Sequence, residues 1–413
     1  MTICDIFPNT MRENKIQHRL NKIERILVSF SVFHGIAQLF LGTFVVSFLI
    51  RNSINEIISV SLYDLFFYFA IMLSFVLMMN RCKNGNIKVV FGSHIIVQLV
   101  LVVLIALLGT HAAKWVMVLG MLHGTQHALY AMSQQQMIID KVSARRMMFF
   151  YGTDTAIANI VKILIPITLG ALITIGSLQN MAWVLAVMGI IELCLLFMIP
   201  PVQNHRETHA DLSGFMHRSI KIPCMRKLFS AEFLRGFAYE LETVGILYIV
   251  YVFHTDMNLG AWTTFFALLT ATATWLFGRF CSKRDFKWVI WVSSILLMGA
   301  IICLMIDVNR FSTLAYAGTV AFGIAMMDQV LTVNVLNLAK TKIVTQSYCT
   351  EYLAARQVVS FIGRWGGIIA LMYIGVFGGY SILPYLLVIF ALSRILAAFM
   401  FAQIGKYTDD DNN

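Results

Sequence analysis

The sequence carries little charge. Only 13% of its 413 residues are charged, whereas 59% are hydrophobic, and the mean hydropathy is +0.77. Soluble globular domains contain about 25% charged residues. The composition therefore excludes an ordinary soluble protein and is typical of a chain that is embedded in lipid.

Signatures of enzymes are also missing. The sequence contains no phosphate-binding P-loop, no nucleophile elbow and no cluster of metal ligands. The loops between apolar runs are short, apart from residues 201–229, so they leave no room for a soluble catalytic domain. We expect neither an enzyme nor an ATP-driven pump, and the sequence predicts no cofactor and no metal.

Long apolar runs are the dominant feature that is present. A membrane-spanning helix needs about 20 mostly apolar residues, and runs of this length recur along the chain. They predict twelve transmembrane helices, at residues 26–50, 55–79, 87–109, 115–139, 147–176, 180–200, 230–253, 258–280, 287–308, 311–338, 350–377 and 380–404. The first run is too long for a signal-peptide core, so we expect it to remain in the mature protein.

The placement of the basic residues orients these helices. A formal net charge of +10 would suggest nucleic acid as the partner of a soluble protein. With the N-terminus in the cytoplasm, however, only Arg51, Lys114 and Arg310 fall in outer loops. This positive-inside bias predicts that both termini are cytoplasmic, and it explains the charge without a nucleic-acid partner. No cysteine falls in a predicted outer loop, so no disulfide framework is expected.

The chain divides into two similar halves. The sixth run ends at Pro200 and Pro201, and the polar stretch that follows separates six helices from six. Placing residues 118–136 against residues 321–339 aligns Gly120 with Gly323. A parallel repeat of six-helix halves is a transporter architecture. The predicted segments are a cytoplasmic segment 1–25, a bundle 26–200, a central cytoplasmic loop 201–229, a bundle 230–404 and a cytoplasmic tail 405–413.

Two cations lie near the middle of predicted helices. Lys162 in the fifth helix and Arg364 in the eleventh occupy nearly corresponding places in the two halves. Placing a charge at the bilayer centre costs about 2.5 to 3.5 kcal/mol, so each cation is expected to have a functional or structural role. One hypothesis is a substrate-binding pair that faces a central cavity and attracts an anionic solute. The other is that each cation forms an inter-helix ion pair that only fixes packing.

Acidic residues in the spans are candidates for proton coupling. Burial favours the uncharged form of a carboxyl group, so a buried carboxyl can bind and release a proton near neutral pH. Asp64 in the second helix, Glu242 in the seventh and Asp328 in the tenth are the predicted proton-coupling residues. Static pairing with Arg235 or Arg356 is the alternative for Glu242 and Asp328.

The fourth predicted helix carries a polar stripe. His123, His127, Tyr130 and Gln134 follow one another at spacings of 4, 3 and 4, which places them on one face. Lipid would not tolerate such a face. The stripe indicates either a binding surface for the solute or a proton, or hydrogen bonds between helices. A zinc site is not expected, because no third ligand is near the histidine pair.

Two stretches resemble a known family. "EFLRGFAYELETVGILYIVYVFHTDMNLGAWTTFFALLTATATWLFGR" at residues 232–279 and "EYLAARQVVSFIGRWGGI" at residues 351–368 resemble permeases of Gram-positive bacteria within the major facilitator superfamily. The resemblance implies an all-α membrane protein with the major facilitator fold, which is two pseudo-symmetric six-helix bundles whose cavity opens alternately to each side. Glu351 and Arg364 match the pattern of that group, whereas Lys162 does not.

The gate signatures of the superfamily are altered here. The loop after the second helix of the family carries an Asp-Arg pair that acts at the cytoplasmic gate. In this sequence Asn80 stands at the Asp position and Arg81 is kept, while the second-half copy keeps Gly278 but has Ser282 in place of Asp. These four residues are the gate that the resemblance implies, and the changes argue against a standard drug/proton antiporter.

The sequence thus predicts a proton-coupled secondary transporter. The expected cargo is a small organic solute, with export favoured over uptake because the resemblance is to efflux-type permeases. The expected location is the bacterial plasma membrane, where the protein would act as a monomer within the lipid bilayer. The alternative is a transporter-derived receptor or accessory protein that binds its ligand but does not translocate it.

Overall fold

The computed structural model describes residues 20–83, 87–142, 144–198, 211–253, 256–280, 285–331, 349–377 and 379–409. These residues are almost entirely helical, and no strand occurs among them. We number the twelve long helices α1 to α12. Their bounds are α1 Lys22–Arg51, α2 Glu56–Lys83, α3 Ile87–Leu108, α4 Val116–Lys141, α5 Ala144–Ile175, α6 Leu178–Phe197, α7 Pro223–Phe253, α8 Asp256–Phe280, α9 Phe286–Ile306, α10 Arg310–Leu331, α11 Cys349–Phe377 and α12 Gly379–Asp409.

Each predicted span corresponds to one of these helices. Within the described ranges, ten are long and apolar enough to cross a membrane, and the two that miss this criterion are α4 and α8. The predicted all-α membrane fold is confirmed.

The described part of the predicted central loop is partly helical. A short helix, Leu212–Ser219, is capped by the Asp211 side chain, which accepts a hydrogen bond from the Gly214 amide at 2.8 Å. Helix α7 then begins at Pro223, before the predicted start at residue 230. Proline is favoured at the first position of a helix, because its fixed φ is already helical and its missing amide hydrogen is not needed there.

Three inner helices depart from regular α geometry. Helix α1 contains a π-helical turn at Phe40–Val45, and α10 contains one at Val320–Ile324. Helix α7 is interrupted at Ala238 and Tyr239, so it consists of Pro223–Phe237 and Glu240–Phe253. At the interruption, the amides of Tyr239, Leu241 and Glu242 donate to the carbonyl oxygen of the third preceding residue. Such irregularities are frequent at functional sites, since they redirect side chains that a regular helix would place elsewhere.

Glycines allow two helix pairs to pack closely. A Cβ atom at Gly124 in α4 would clash with the Phe67 carbonyl oxygen in α2, and one at Gly363 in α11 would clash with the Phe233 carbonyl oxygen in α7. Small residues at such contacts let helix backbones approach each other in membranes. The pairs α2–α4 and α7–α11 are therefore held in close contact, and they carry most of the polar residues described below.

The two halves meet along α2 with α11 and along α5 with α8. At the first seam, Asn55 Nδ2 donates a hydrogen bond to the Gly375 carbonyl oxygen at 2.9 Å. At the second, Gly260 packs against the backbone at Pro166. Helix α5 continues through Pro166 without ending. The space between these seams contains two cavities.

Candidate functional site

The two cavities share a wall. The first, here called the central cavity, has a volume of about 430 Å³ and is lined by residues of α1, α2, α4, α7 and α11. The second, here called the apolar cavity, has a volume of about 380 Å³ and is lined by residues of α1, α5, α7, α8 and α10. Glu242 and Ile246 of α7 line both. Both halves of the chain contribute to each cavity.

Arg364 lies in the central cavity between two tyrosine rings. Its guanidinium carbon is 4.4 Å from the ring centre of Tyr68 in α2 and 4.1 Å from that of Tyr239 in α7. Cation–π contacts of this kind hold a guanidinium without neutralising its charge. Among the described residues no carboxylate is within ion-pair distance, and its buried Nε has no hydrogen-bond partner. The inter-helix ion pair that the sequence left open for Arg364 is therefore not seen in the described part of the chain.

Lys162 belongs to the other cavity. It lies on α5 at the apolar cavity, and its side chain is exposed. Its charge acts on the Glu242 carboxylate, although the two do not form an ion pair. The structure therefore places Lys162 and Arg364 in adjoining cavities on either side of Glu242, rather than in one shared pocket.

The three predicted coupling carboxyls have different surroundings. Asp64 lines the central cavity and accepts a hydrogen bond from Thr243 Oγ1 at 3.3 Å. Glu242 is exposed on the shared wall, with no hydrogen bond or ion pair to another described residue. Glu240, three residues before Thr243 in α7, is fully buried and interacts electrostatically with Asp64.

Asp328 is part of a chain of ion pairs. It pairs with Arg394 of α12 and, at 3.8 Å, with Arg235 of α7. Arg235 also pairs with Glu232 at 3.3 Å, and Glu232 pairs with Arg356 of α11. Asp328 thus has the static pairing that the sequence left open as its alternative role.

Arg394 is a member of this chain of ion pairs that was not predicted from the sequence. The side chain of Arg394 is only 4% exposed. The signal for it was available, because Arg394 is a lone cation in the middle of the twelfth apolar run. A lone intramembrane cation predicts a nearby carboxylate partner.

The polar stripe of α4 divides into two parts. His123 and His127 line the central cavity, and His123 contacts Gln38 at 2.8 Å and the Tyr63 hydroxyl at 2.6 Å. Farther along, Tyr130 and Gln134 both donate hydrogen bonds to the Ser31 hydroxyl of α1, at 3.2 Å and 2.7 Å. The first part therefore faces the cavity, and the second joins two helices.

No metal site is assembled by the described residues. Within them, no three side chains of His, Cys, Asp or Glu converge in a way that could hold a metal ion. His34 and His127 stack at a ring-centre distance of 5.5 Å, and the rings of His34 and Tyr130 stack at 3.5 Å. Ring stacking and hydrogen bonds account for the positions of these histidines.

Three of the four predicted gate residues belong to described helices, and none of these three lines either cavity. Asn80 and Arg81 belong to the last part of α2, where Arg81 is exposed, and Gly278 belongs to the last part of α8. Ser282 is outside the described residues. Their role as a cytoplasmic gate stays a prediction.

Comparison with known proteins gives a family and a fold. The family model of the Major Facilitator Superfamily matches residues 27–364. No protein with a curated description matches the chain by sequence. Among solved structures, the nucleoside transporter NupG has a TM-score of 0.69 at 12% identity, covering 93% of this chain and 100% of its own.

Two solved sugar transporters also resemble this chain in their structure. The D-xylose-proton symporter has a TM-score of 0.66 at 11% identity, covering 92% of this chain and 96% of its own. The E. coli fucose:proton symporter FucP has a TM-score of 0.63 at 14% identity, covering 92% and 98%. Identities this low establish a shared fold of the whole chain and no more.

Proposed function

Because the chain belongs to the Major Facilitator Superfamily, which consists of membrane transporters rather than enzymes, we propose that it is a proton-coupled secondary transporter of a small organic anion. The observation that carries the proposal is the position of Glu242. This carboxylate is unpartnered among the described residues and lies on the wall between the cavity of Arg364 and the cavity of Lys162. A proton on Glu242 and an anionic group nearby would stabilise each other's binding.

Asp64 is the second candidate for proton coupling. It lies in the central cavity with Arg364, whose charge acts on it, and its hydrogen bond to Thr243 joins the two halves. A proton on Asp64 would leave Arg364 without a competing anion, so that the guanidinium could bind the solute. Asp328 is the weakest candidate, because it already forms ion pairs with Arg394 and Arg235.

The apolar cavity supports a solute with an apolar portion. Leu259, Phe266 and Ile249 are among its lining residues, and its charged residues, Lys162, Glu242 and Asp328, come from α5, α7 and α10. A solute with its anionic group at Arg364 could place a hydrocarbon portion there. Each methylene group transferred from water contributes about 0.8 kcal/mol, or roughly fourfold in affinity.

Straight-chain monocarboxylates from propanoate to octanoate test the solute class. The full chain in lipid nanodiscs should bind them about fourfold more tightly per added methylene group until the apolar cavity is filled. Ala267→Leu, which narrows that cavity, should weaken octanoate binding and leave propanoate binding unchanged. Ala261→Leu, at an exposed position of the same helix, is the matched control. Affinity that is independent of chain length would overturn this solute class.

Transport itself is tested in proteoliposomes. A bound monocarboxylate should drive a change of internal pH in liposomes that contain the chain, and Glu242→Gln should abolish that change. Binding without any flux would favour the alternative, a receptor that does not translocate its ligand.

We propose export as the direction, based on the resemblance of residues 232–279 and 351–368 to efflux-type permeases. We also propose that the protein acts as a monomer in a bacterial plasma membrane. Because the proton and the solute favour each other's binding, everted membrane vesicles in an acidic medium should then accumulate the solute as protons enter with it. Accumulation only in right-side-out vesicles would reverse the proposed direction.

A further inference from the structure

An unbroken chain of hydrogen bonds crosses the first half of the protein. It begins at the central cavity and ends at Glu192 of α6, whose side chain is fully buried. Each of its five links joins different helices. The links are Tyr63–His123 at 2.6 Å, His123–Gln38 at 2.8 Å, Gln38–Gln126 at 2.9 Å, Gln126–Gln98 at 2.8 Å and Gln98–Glu192 at 2.8 Å.

The direction of the glutamine links follows from the carboxylate. Oε2 of Glu192 accepts the hydrogen bond from Gln98 Nε2, which leaves the Gln98 oxygen to accept from the next residue. Gln126 Nε2 donates to that oxygen, and Gln38 Nε2 donates in turn to the Gln126 oxygen. Because every amide has its donor at one end and its acceptor at the other, one terminal acceptor orients all three.

Gln126 makes two further contacts, both with histidines. Its second amide hydrogen points to His34 Nδ1 at 3.2 Å, and its backbone oxygen lies 3.0 Å from His94 Nδ1, which must donate. His94 Nε2 is then an unprotonated nitrogen, and it has no partner among the described residues. The His34 contact uses the side-chain amide of Gln126, whereas the His94 contact uses its backbone and does not depend on the amide orientation.

The chain of donors determines the tautomer of His123. The Gln38 oxygen can only accept, so His123 Nε2 must carry the hydrogen. In a neutral imidazole the other nitrogen, Nδ1, is then an acceptor, and the Tyr63 hydroxyl donates to it. Since Tyr63 uses its only hydrogen in this bond, its oxygen can act towards the cavity only as an acceptor.

We infer that Glu192 is a positioning residue that holds His123 in its Nε2–H tautomer through three glutamines, and that Tyr63 thereby presents a hydrogen-bond acceptor to the central cavity. Hydrogen bonds in such a chain polarise one another, so a carboxyl oxygen that accepts at the terminus favours one direction throughout. The acceptor would recognise a hydroxyl or amine hydrogen of the solute. The recognition of a solute hydrogen by Tyr63 rests on the proposed function, whereas the assignment of the His123 tautomer does not.

Loss of the terminal carboxylate would remove the preference for one direction. Gln38 could then turn its amide over and donate to His123 Nε2, and the ring would carry its hydrogen on Nδ1. The Tyr63 oxygen would accept that hydrogen, and its own hydrogen would be free to point into the cavity. Glu192 therefore decides whether this wall presents an acceptor or a donor, although it does not touch the cavity.

Nitrogen NMR of the full chain in lipid bilayers tests the inference. With ¹⁵N-labelled histidine, and with His123→Asn to assign the signals, His123 should show a protonated Nε2 and an unprotonated Nδ1. Glu192→Leu and, one link earlier, Gln98→Leu should each convert this to a mixture or to the Nδ1–H form. Ser133→Ala removes a buried α4 hydroxyl that bonds only within its own helix, and it should leave the tautomer unchanged.

An Nδ1–H tautomer in the unmodified protein would overturn the inference whether or not the variants fold. So would an unchanged His123 signal in a folded Glu192→Leu or Gln98→Leu protein, since a purely structural role would move the unfolding temperature but not the tautomer. Neither measurement needs a transported solute, so failure here is distinguishable from failure of the proposed function.

Discussion

Thr243 in α7 donates a hydrogen bond from Oγ1 to Oδ2 of Asp64 in α2 at 3.3 Å. This bond joins the two halves of the chain at the central cavity, beside Arg364 and Glu242. In a transporter whose halves move relative to each other, a polar contact between the halves is formed in one conformation and broken in the other. It also links that conformation to the protonation of a cavity carboxyl, because ionised Asp64 is the better acceptor.

Thr243→Val should lower the population of this conformation. The substitution keeps the shape of the side chain and removes a hydrogen bond that contributes about 0.5 to 1.5 kcal/mol, so the conformational equilibrium should shift about two- to tenfold. Spin-label distances between α2 and α7 in nanodiscs report the populations. Thr270→Val, which removes a bond to the Ala321 carbonyl oxygen within the second half, is the matched control and should produce no shift.

Glu242→Gln and Asp328→Asn should fail in different ways. Glu242→Gln should abolish proton-driven accumulation while solute exchange without a proton gradient continues, because only the proton site is lost. Asp328→Asn leaves buried Arg394 without its anion, which should destabilise the protein by about 3 to 5 kcal/mol. Flux assays and thermal unfolding of both variants separate the two roles. Equal loss of stability in both would contradict the assignment of Glu242.

Arg364→Ala should weaken binding of octanoate at least tenfold. A hydrogen bond to a charged group contributes about 1.5 to 3 kcal/mol, and the guanidinium is free to make one because its ring contacts leave Nε unpartnered among the described residues. The unfolding temperature should change little, since no described ion pair is broken. Titration calorimetry in nanodiscs measures the affinity, and an unchanged value would refute an anion site at Arg364.

Lys162→Ala is the companion test at the apolar cavity. Its ammonium acts on Glu242 without pairing with it, so the variant should fold normally and lose recognition of the anionic solute. A variant that binds and transports octanoate as the unmodified protein does would show that Lys162 is not part of the site.

Glu232→Gln should be strongly destabilising. Glu232 is 1% exposed and pairs with both Arg235 and Arg356, and removal of one member of a buried ion pair costs about 3 to 5 kcal/mol. Asp211→Asn is the control, because its pair with Arg218 is exposed and Asn can still cap the short helix, so its effect should stay below about 1 kcal/mol. Similar unfolding temperatures for the two variants would contradict the prediction.

Much of the architecture could be predicted from composition and periodicity. The bilayer requires about 20 apolar residues per crossing and satisfied backbone groups, so the runs of the sequence predicted the helices directly. The turns at Phe40–Val45 and Val320–Ile324 and the break at Ala238 could not be predicted in this way. They depend on how neighbouring helices crowd one another, and no local residue pattern encodes that.

The candidate site was only partly predictable from the sequence. Lys162, Glu242 and Arg364 stood out because a charge in a span is costly wherever it points. Whether such a charge is paired depends on helices far apart in sequence. The pairing of Asp328 with Arg394, and the lack of a partner for Glu242 among the described residues, therefore appeared only in the structure. Glu192 is an acid within the sixth apolar run, but its connection to His123 required side chains from α1, α3, α4 and α6.

The sequence by itself therefore determined that this protein lies in a membrane, that it has twelve helices in two halves, and which residues carry polar groups into lipid. Each of these follows from the cost of exposing polar groups to hydrocarbon, which acts on every segment separately. Only the tertiary structure decided which of those groups neutralise one another and which remain free in a cavity. That outcome depends on distances of a few ångströms between helices, because electrostatic and hydrogen-bond energies change steeply over that range.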